Sequence, residues 1–342
     1  MTRYDALIAG AGPAGSLTAL LAHGQGRNVL VAELRGFEAL RTNLARFSGD
    51  AQQLLHQVDA GAGLFPAYDP RRGPRSFIAP IRDVERALRT TADQAGVPIH
   101  YGTSFFDVGQ HADGSVSAKV RTATGIELVE APVLLDASGG SFAGEFDEAL
   151  RLRDVGGEGH AIGVHWERGT PTGGWNDATA AATGDVPGLR LAVGNGRFAG
   201  HHDAIRGTFG VLELPSRPSP AEQDDLVRAL RDGLGLEGDP SLRYDFGISN
   251  RIADRAWSGS VALMGDSVTK LRPRTGMGVN LAVLDARDGA RLIDDLARTD
   301  STQHPTLARM ERQRIFETYG AHVMRRHKAA LHTEQAPSPF GR

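Results

Sequence analysis

Hydrophobic and polar positions follow two rhythms along this chain. Ala6 to Ala9 is a short unbroken apolar run, the pattern of a strand buried on both faces. A glycine turn, Gly10 to Gly15, leads to a helix over Ser16 to Gly24 and a second strand over Asn28 to Glu33. That is one β-α-β unit in about thirty residues. Residues 40–58 read as a polar helix, and 66–75, rich in Pro, Gly and Arg, as a loop. A helix is predicted over Asp83 to Ala95, with Asp83 as N-cap and Gly96 as stop. A strand over Ile99 to Val108 turns at His111 to Gly114 into Ser115 to Arg121. Val133 to Asp136 and Ser260 to Met264 are further buried strands, ending at Ser138-Gly139-Gly140 and Gly265-Asp266.

From about Asp154 to Asn250 the rhythm changes to alternation. Ala161 to Glu167, Leu189 to Val193 and Ile205 to Leu214 predict an antiparallel sheet with one wet face. Helices follow over Ala221 to Leu234, Gly278 to Asp295 and Thr306 to about Leu331, with a loose tail over Gln335 to Arg342. Dinucleotide-type elements thus occur at the start, middle and end. The predicted organisation is an α/β fold: a discontinuous Rossmann-like cofactor domain over 1–70, 95–153 and 255–300. The substrate domain, an inserted antiparallel sheet, takes 71–94 and 154–254, and 301–342 forms the C-terminal helix and tail.

Composition narrows the chemistry. The 342 residues contain no Cys, which removes disulfides, Cys-ligated zinc, iron–sulfur clusters and thiol redox pairs. Electrons, if moved, must pass through a bound organic cofactor, held without a cysteinyl bond, or through a metal held by oxygen and nitrogen. A formal net charge of −3 gives no electrostatic footprint for nucleic acid. No apolar run reaches the ~20 residues of a membrane span. Asp5 precedes the first apolar run, which feeds straight into the glycine motif, so the start is not read as a signal peptide and a cytoplasmic protein is expected.

Two motifs carry chemistry. In Gly10-x-Gly12-x-x-Gly15, the first glycine permits a tight turn, the second close backbone approach to a pyrophosphate, and the third close helix–strand packing. The free N–H groups at the helix start favour an anion. Glu33, 18 residues after Gly15, is placed to accept hydrogen bonds from an adenosine ribose. Pro13 and Ala14 complete a Gly-x-Gly-Pro-Ala-Gly turn that resembles those of FAD proteins more than nicotinamide dehydrogenases. In the second motif a strand ends at Asp266, whose carboxylate can reach a ribityl hydroxyl. Pro273 and Gly276-Met277-Gly278-Val279-Asn280 then open a helix whose N–H groups can face the flavin pyrimidine oxygen.

Together these motifs resemble the para-hydroxybenzoate hydroxylase superfamily of single-component FAD monooxygenases, which includes halogenases and geranylgeranyl reductases. The resemblance covers the FAD portions, about half the chain, and implies a glutathione-reductase-type FAD domain. It places Leu34 and Arg35 beside the ribose acid, Arg46 on the flavin side, Arg82 ahead of the next helix, and Phe105 near the adenine, with a solvated helix flank as the alternative for Arg46 and Arg82 and core packing for Phe105. Asp136 to Ser141 stands where hydroxylases carry Gly-Ala-Asp-Gly, though a strand-end cap explains Asp136 as well. Three departures stand out. Ser267-Val268-Thr269 replaces the usual Ala-Ala-His, one Trp at 166 replaces the halogenase Trp-x-Trp-x-Ile-Pro, and no Lys lies near residues 70–85.

The implied activity is oxygenation: NADPH or NADH delivers hydride transiently to non-covalent FAD, and the reduced flavin activates dioxygen for hydroxylation or epoxidation of an aromatic or polyene-like small molecule. His165, Trp166, Phe209 and Phe246 are candidate lining residues under the antiparallel sheet, with core packing as the alternative for each. No catalytic residue and no metal site is assigned. His201-His202-Asp203 reads as a strand edge, since adjacent side chains diverge. Halogenation, double-bond reduction, and a non-redox cyclase or isomerase derived from a flavoprotein remain as alternatives. A small-molecule substrate is expected, with neither nucleic acid nor membrane as partner and either a monomer or a homodimer as the assembly.

Overall fold

A computed structural model of the chain describes residues 1–38, 44–60, 64, 77–122, 124–140, 142–173, 175–176, 188–203, 207–272, 277–299 and 305–335. Ala6–Ala9 is buried throughout and sits mid-sheet. Val29–Glu33 and Leu134–Asp136 pair with it in parallel on its two sides. Ile99–Tyr101 and Val261–Leu263 extend the sheet in parallel, and Trp257–Ser258 closes one edge antiparallel. Parallel strands buried on both faces need continuous apolar runs, which is why Ala6–Ala9, Val29–Glu33, Leu134–Asp136 and Val261–Leu263 are visible in the sequence. Helix Pro13–Gly24 packs against the long helix Met277–Arg298. Gly289 makes the close approach possible, because a Cβ there would overlap the Met264 side chain and crowd Thr18.

A second sheet of four strands, in the order Thr2–Arg3, Gly125–Ala131, Val116–Thr122, Phe105–Gln110, buries Phe105, Val116, Val120 and Val129 in the same core as the parallel one. The third large sheet runs Trp175–Asn176, Gly188–Val193, Gly196–Asp203, Gly207–Leu214, Gly159–Trp166, Leu242–Ile248, all antiparallel. One of its faces forms a separate core: Ile162, Val164, Trp166, Leu212 and Leu214 meet Val227, Leu230 and Leu234 of helix Pro220–Leu234. That helix starts at a Ser219/Glu222 capping box and stops at the left-handed Gly235.

Several expectations need correction. Residues 40–58 are not one helix: Leu44–Phe47 is a strand paired with Phe77–Pro80, and the helix is only Gly49–Gln57, capped by Ser48. Residues 99–108 are two strands in two sheets, separated at the left-handed Gly102. The helix Ile81–Gln94 starts at Pro80, so Asp83 lies in its first turn rather than capping it. This helix, grouped above with the substrate domain, buries Val84, Leu88 and Ala92 in the same core as the first strand. The 66–75 loop and the tail from 336 lie outside the described residues. Among the described residues, no helix is long and apolar enough to cross a membrane.

Candidate functional site

The first cleft opens at the carboxyl ends of the parallel strands, where ligands bind open α/β sheets. It is lined by Gly10, Gly12, Glu33, Leu34, Arg35 and Phe105, with Ser138 and Phe146 opposite. Gly10 has φ +102°, and a Cβ there would lie 2.7 Å from the Ala137 carbonyl oxygen. At Gly15 a Cβ would overlap the Gly10 carbonyl oxygen, so the helix can start this close to the strand only with glycine. Its N-terminus has no side-chain cap and no acid in the first turn, which leaves N–H groups for an anionic ligand. Ser138 Oγ is buried without a hydrogen-bond partner among the described residues. This cradle fits a dinucleotide pyrophosphate.

Glu33 is 4% exposed and stitches the cleft together. Its Oε2 accepts the Ala11 N–H at 2.7 Å, and its Oε1 accepts Arg35 N–H at 2.8 Å and Arg35 Nε–H at 3.1 Å. Burial pushes its pKa up, but the two backbone N–H groups and the Arg35 charge outweigh that and hold it below the usual carboxylate value. Sequence reasoning missed Arg89. It is fully buried, donates to the Gly36 and Phe37 carbonyls at 3.0 and 2.6 Å, and stands 3.9 Å from Glu33. The signal was present: Glu85 and Arg89 occupy the apolar stripe Ile81, Val84, Leu88, Ala92 of an amphipathic helix, where charged residues call for a reason.

The second cavity adjoins the first through Gly12 and Ala137. From the cofactor side it is lined by Pro13, Ala14, Arg46, Asp266, Gly278 and Val279. From the antiparallel sheet come His165, His201, Phe209 and Tyr244. His165 and His201 flank Phe209 on adjacent strands, with ring centroids 6.4 and 5.9 Å from it. The Tyr244 ring lies over the Gly163 backbone, and burial pushes its phenol pKa up to about 12, so it stays protonated near neutrality. Asn280 couples the two sides of the flavin-side wall: it donates to the Arg46 carbonyl and accepts from Ser48 N–H, each at 2.8 Å.

The turn carrying Asp266 is held from behind. Gly265 adopts φ +59° and donates its N–H to Asp285 at 2.7 Å. Asp285 is fully buried in the long helix, pairs with the equally buried His327 at 2.7 Å, and lies 3.5 Å from Arg326. Tyr319 adds a hydrogen bond to the Leu263 carbonyl at 2.7 Å. His327, Arg326 and Tyr319 all belong to the C-terminal helix Pro305–Gln335, which therefore braces the site. In front, Asp136 accepts from Ser138 N–H, Ala143 N–H and Ser267 Oγ–H at 2.8, 2.8 and 3.0 Å. Ser267 Oγ accepts in turn from Gly139 and Gly140 N–H. The departure at Ser267 thus ties two site loops together, and Asp136 is a cap.

Other expected residues fall elsewhere. Trp166 does not line the cavity: it is 2% exposed in the core beneath the helix Pro220–Leu234, because neighbours on a strand face opposite ways and His165 takes the cavity face. Phe246 is not among the lining residues but stacks on Tyr244 at 5.8 Å. Arg82 lines neither cleft; its half-exposed side chain faces Asp83 at 3.6 Å. Pro273 and Gly276 lie outside the described residues. Met277 opens the long helix beside Gly278. His202 bonds Thr208 at 2.9 Å while His201 faces the cavity, and no metal-binding cluster occurs among the described residues.

Gly163→Ala is expected to lose about 1–3 kcal/mol of stability, because the new methyl would overlap the Tyr244 ring. Gly247→Ala, on the neighbouring strand with nothing within 4 Å, should change little. Thermal denaturation of the two variants side by side checks the pair.

Comparison with known proteins agrees with this geometry. Residues 197–312 match a family model described as an FAD binding domain. Aklavinone 12-hydroxylase DnrF of Streptomyces peucetius is 27% identical over an alignment covering 93% of this chain and 71% of that protein. The chain is similar to FAD-dependent monooxygenases over most of its length. Its cofactor is FAD, and it is an enzyme. A dialkyldecalin synthase of Streptomyces rugosporus is also similar to this chain, at 27% identity over an alignment covering 62% of this chain and 44% of that one. The structure of PqsL from P. aeruginosa shares the fold with a TM-score of 0.74 at 16% identity, covering 98% of this chain and 96% of PqsL.

Proposed function

We propose that this protein is an NAD(P)H-driven FAD monooxygenase that hydroxylates or epoxidises an aromatic or polyene-like small molecule in specialised metabolism. In this reading the FAD domain is of the glutathione-reductase type, with the antiparallel sheet as substrate cap. When bound, FAD supplies the redox chemistry, two-electron uptake from a reduced nicotinamide and activation of dioxygen. The chain positions it. The N–H groups after Gly12 hold the pyrophosphate, Glu33 the ribose, Leu34, Arg35 and Phe105 the adenosine side, and Asp266 the ribityl chain. The start of the helix at Met277–Asn280 faces the pyrimidine edge, and Arg46 lies on the flavin side. His165, Phe209 and Tyr244 orient the substrate and exclude water.

One observation carries this reading: a single cavity is lined both by Pro13, Asp266 and Gly278 and by the aromatic wall of the cap. DnrF is named a hydroxylase, which favours oxygenation. The likeness to a dialkyldecalin synthase favours a second reading, a cyclase in which FAD serves as scaffold. Anaerobic addition of NADPH or NADH separates the two. Bleaching of the bound flavin, followed by incorporation of isotope-labelled dioxygen into an aromatic substrate, is the expected result. Flavin that no nicotinamide reduces would overturn the self-sufficient monooxygenase.

A further inference from the structure

We propose that Ser267 couples the two clefts, so that a nucleotide seated in the first orders the Asp266 turn of the second. This rests on the reading of the clefts as the two halves of an FAD site, and it makes Ser267 a positioning residue for the cofactor. The strands Leu134–Asp136 and Val261–Leu263 run side by side in parallel, and each leads into a turn that serves the site. The last backbone hydrogen bond between them runs from Met264 N–H to the Asp136 carbonyl at 3.0 Å. Beyond it the first turn, residues 137–140, lines both clefts: Ala137 and Ser138 face the first, and Gly139 faces the second. The other turn, Gly265–Ser267, presents Asp266 to the second cleft.

Past Met264, the hydrogen bonds that join the two turns among the described residues all pass through one atom. Ser267 Oγ–H donates to Asp136 Oδ1 at 3.0 Å, and the same oxygen accepts Gly139 N–H at 3.0 Å and Gly140 N–H at 2.9 Å. A serine hydroxyl offers one donor and two acceptor sites, so its capacity is filled. Ser267 and Asp136 are each 1% exposed, and solvent does not compete for these bonds. The loop they hold cannot fix itself. Gly139 and Gly140 sit at φ +90° and +96°, and neither has a side chain to anchor its backbone. Packing passes the restraint on at both ends. A Cβ on Gly10 would meet Ser138 Cα at 2.9 Å, and one on Gly140 would meet the Asp266 carbonyl oxygen at 3.3 Å. An anion drawn onto the glycine turn therefore stills residues 137–140, and Ser267 carries that order to the turn bearing Asp266. Alanine, which the resembling motif carries at this position, has no oxygen with which to do so.

The test is amide hydrogen exchange on the flavin-free full chain. ADP is the probe, because it carries the pyrophosphate and adenosine but no flavin. In wild type, saturating ADP should slow exchange at residues 10–15 and also, by at least about fivefold, at residues 264–269. In Ser267→Ala it should slow exchange at 10–15 alone. Ligand titration gives a second arm: Ser267→Ala should bind ADP within about twofold of wild type and FAD at least about fivefold more weakly. Four results would each overturn the coupling: ADP protection confined to 10–15 in wild type, no ADP protection in protein that FAD does protect, equal protection at 264–269 in Ser267→Ala, or equal affinity changes for ADP and FAD. The wild-type arm decides the matter by itself where the variant does not fold. Wild type protected by neither ADP nor FAD sinks the reading of the clefts instead.

Discussion

Gly15→Ala should yield a protein that no longer retains flavin. The methyl group would overlap the Gly10 carbonyl oxygen and crowd Ala137, neither of which can move without shifting a central strand or the loop after Asp136. The helix Pro13–Gly24 must then retreat from the sheet, carrying away the N–H groups at the floor of the cleft. The expected loss is more than about tenfold in FAD affinity, together with about 1–3 kcal/mol of stability. Gly24→Ala is the control within the same helix. A Cβ there meets nothing within 4 Å, so the substitution should be neutral or stabilise slightly by reducing the freedom of the unfolded chain. Equilibrium FAD titration of both variants checks the contrast.

Asp285→Ala should have the largest effect on stability. Asp285 is fully buried, and its carboxylate meets the Gly265 N–H, His327 and Arg326 together. Removing it leaves the buried Gly265 N–H and the buried His327 ring unmatched and takes away one of the two carboxylates beside Arg326, which keeps Asp288; breaking one side of a buried ion pair costs about 3–5 kcal/mol. The loss should be cooperative with the C-terminal helix: His327→Ala combined with Asp285→Ala should destabilise by less than the sum of the single changes, because both remove one contact. Urea denaturation of the four proteins measures this. FAD affinity should fall in parallel, since the same carboxylate fixes the turn that carries Asp266.

Much of this was legible in the sequence where local chemistry leaves few choices. Gly10 and Gly15 are forced by backbone that lies where a side chain would go, and Asp266 sits at the end of a strand whose apolar run is unambiguous. What was not legible depends on partners far along the chain. Gly196–Asp203 and Leu242–Ile248 were not anticipated, because glycines and charged residues such as Gly200, Arg243 and Asp245 mask the alternation until cross-strand pairing supplies the context. Leu44–Phe47 is a strand only because Phe77–Pro80, some thirty residues later, pairs with it. His165 and Trp166 are both cavity candidates in the sequence, with core packing as the alternative for each, and a strand's twofold period divides the two roles between neighbours: His165 faces the cavity and Trp166 the core. The bracing role of the C-terminal helix also escaped notice, since nothing local marks His327 as the partner of Asp285, 42 residues away.

The central claim is that FAD spans the two clefts, held without a covalent bond by the glycine turn at one end and by Asp266 at the other. Titration of the purified protein with FAD, followed by flavin absorbance and fluorescence, tests it most directly. Saturable one-to-one binding, full release of the flavin on denaturation, and at least about tenfold weaker binding by Asp266→Ala are the results expected. Absence of saturable binding, or an Asp266→Ala variant that holds FAD as tightly as the wild type, would contradict the account.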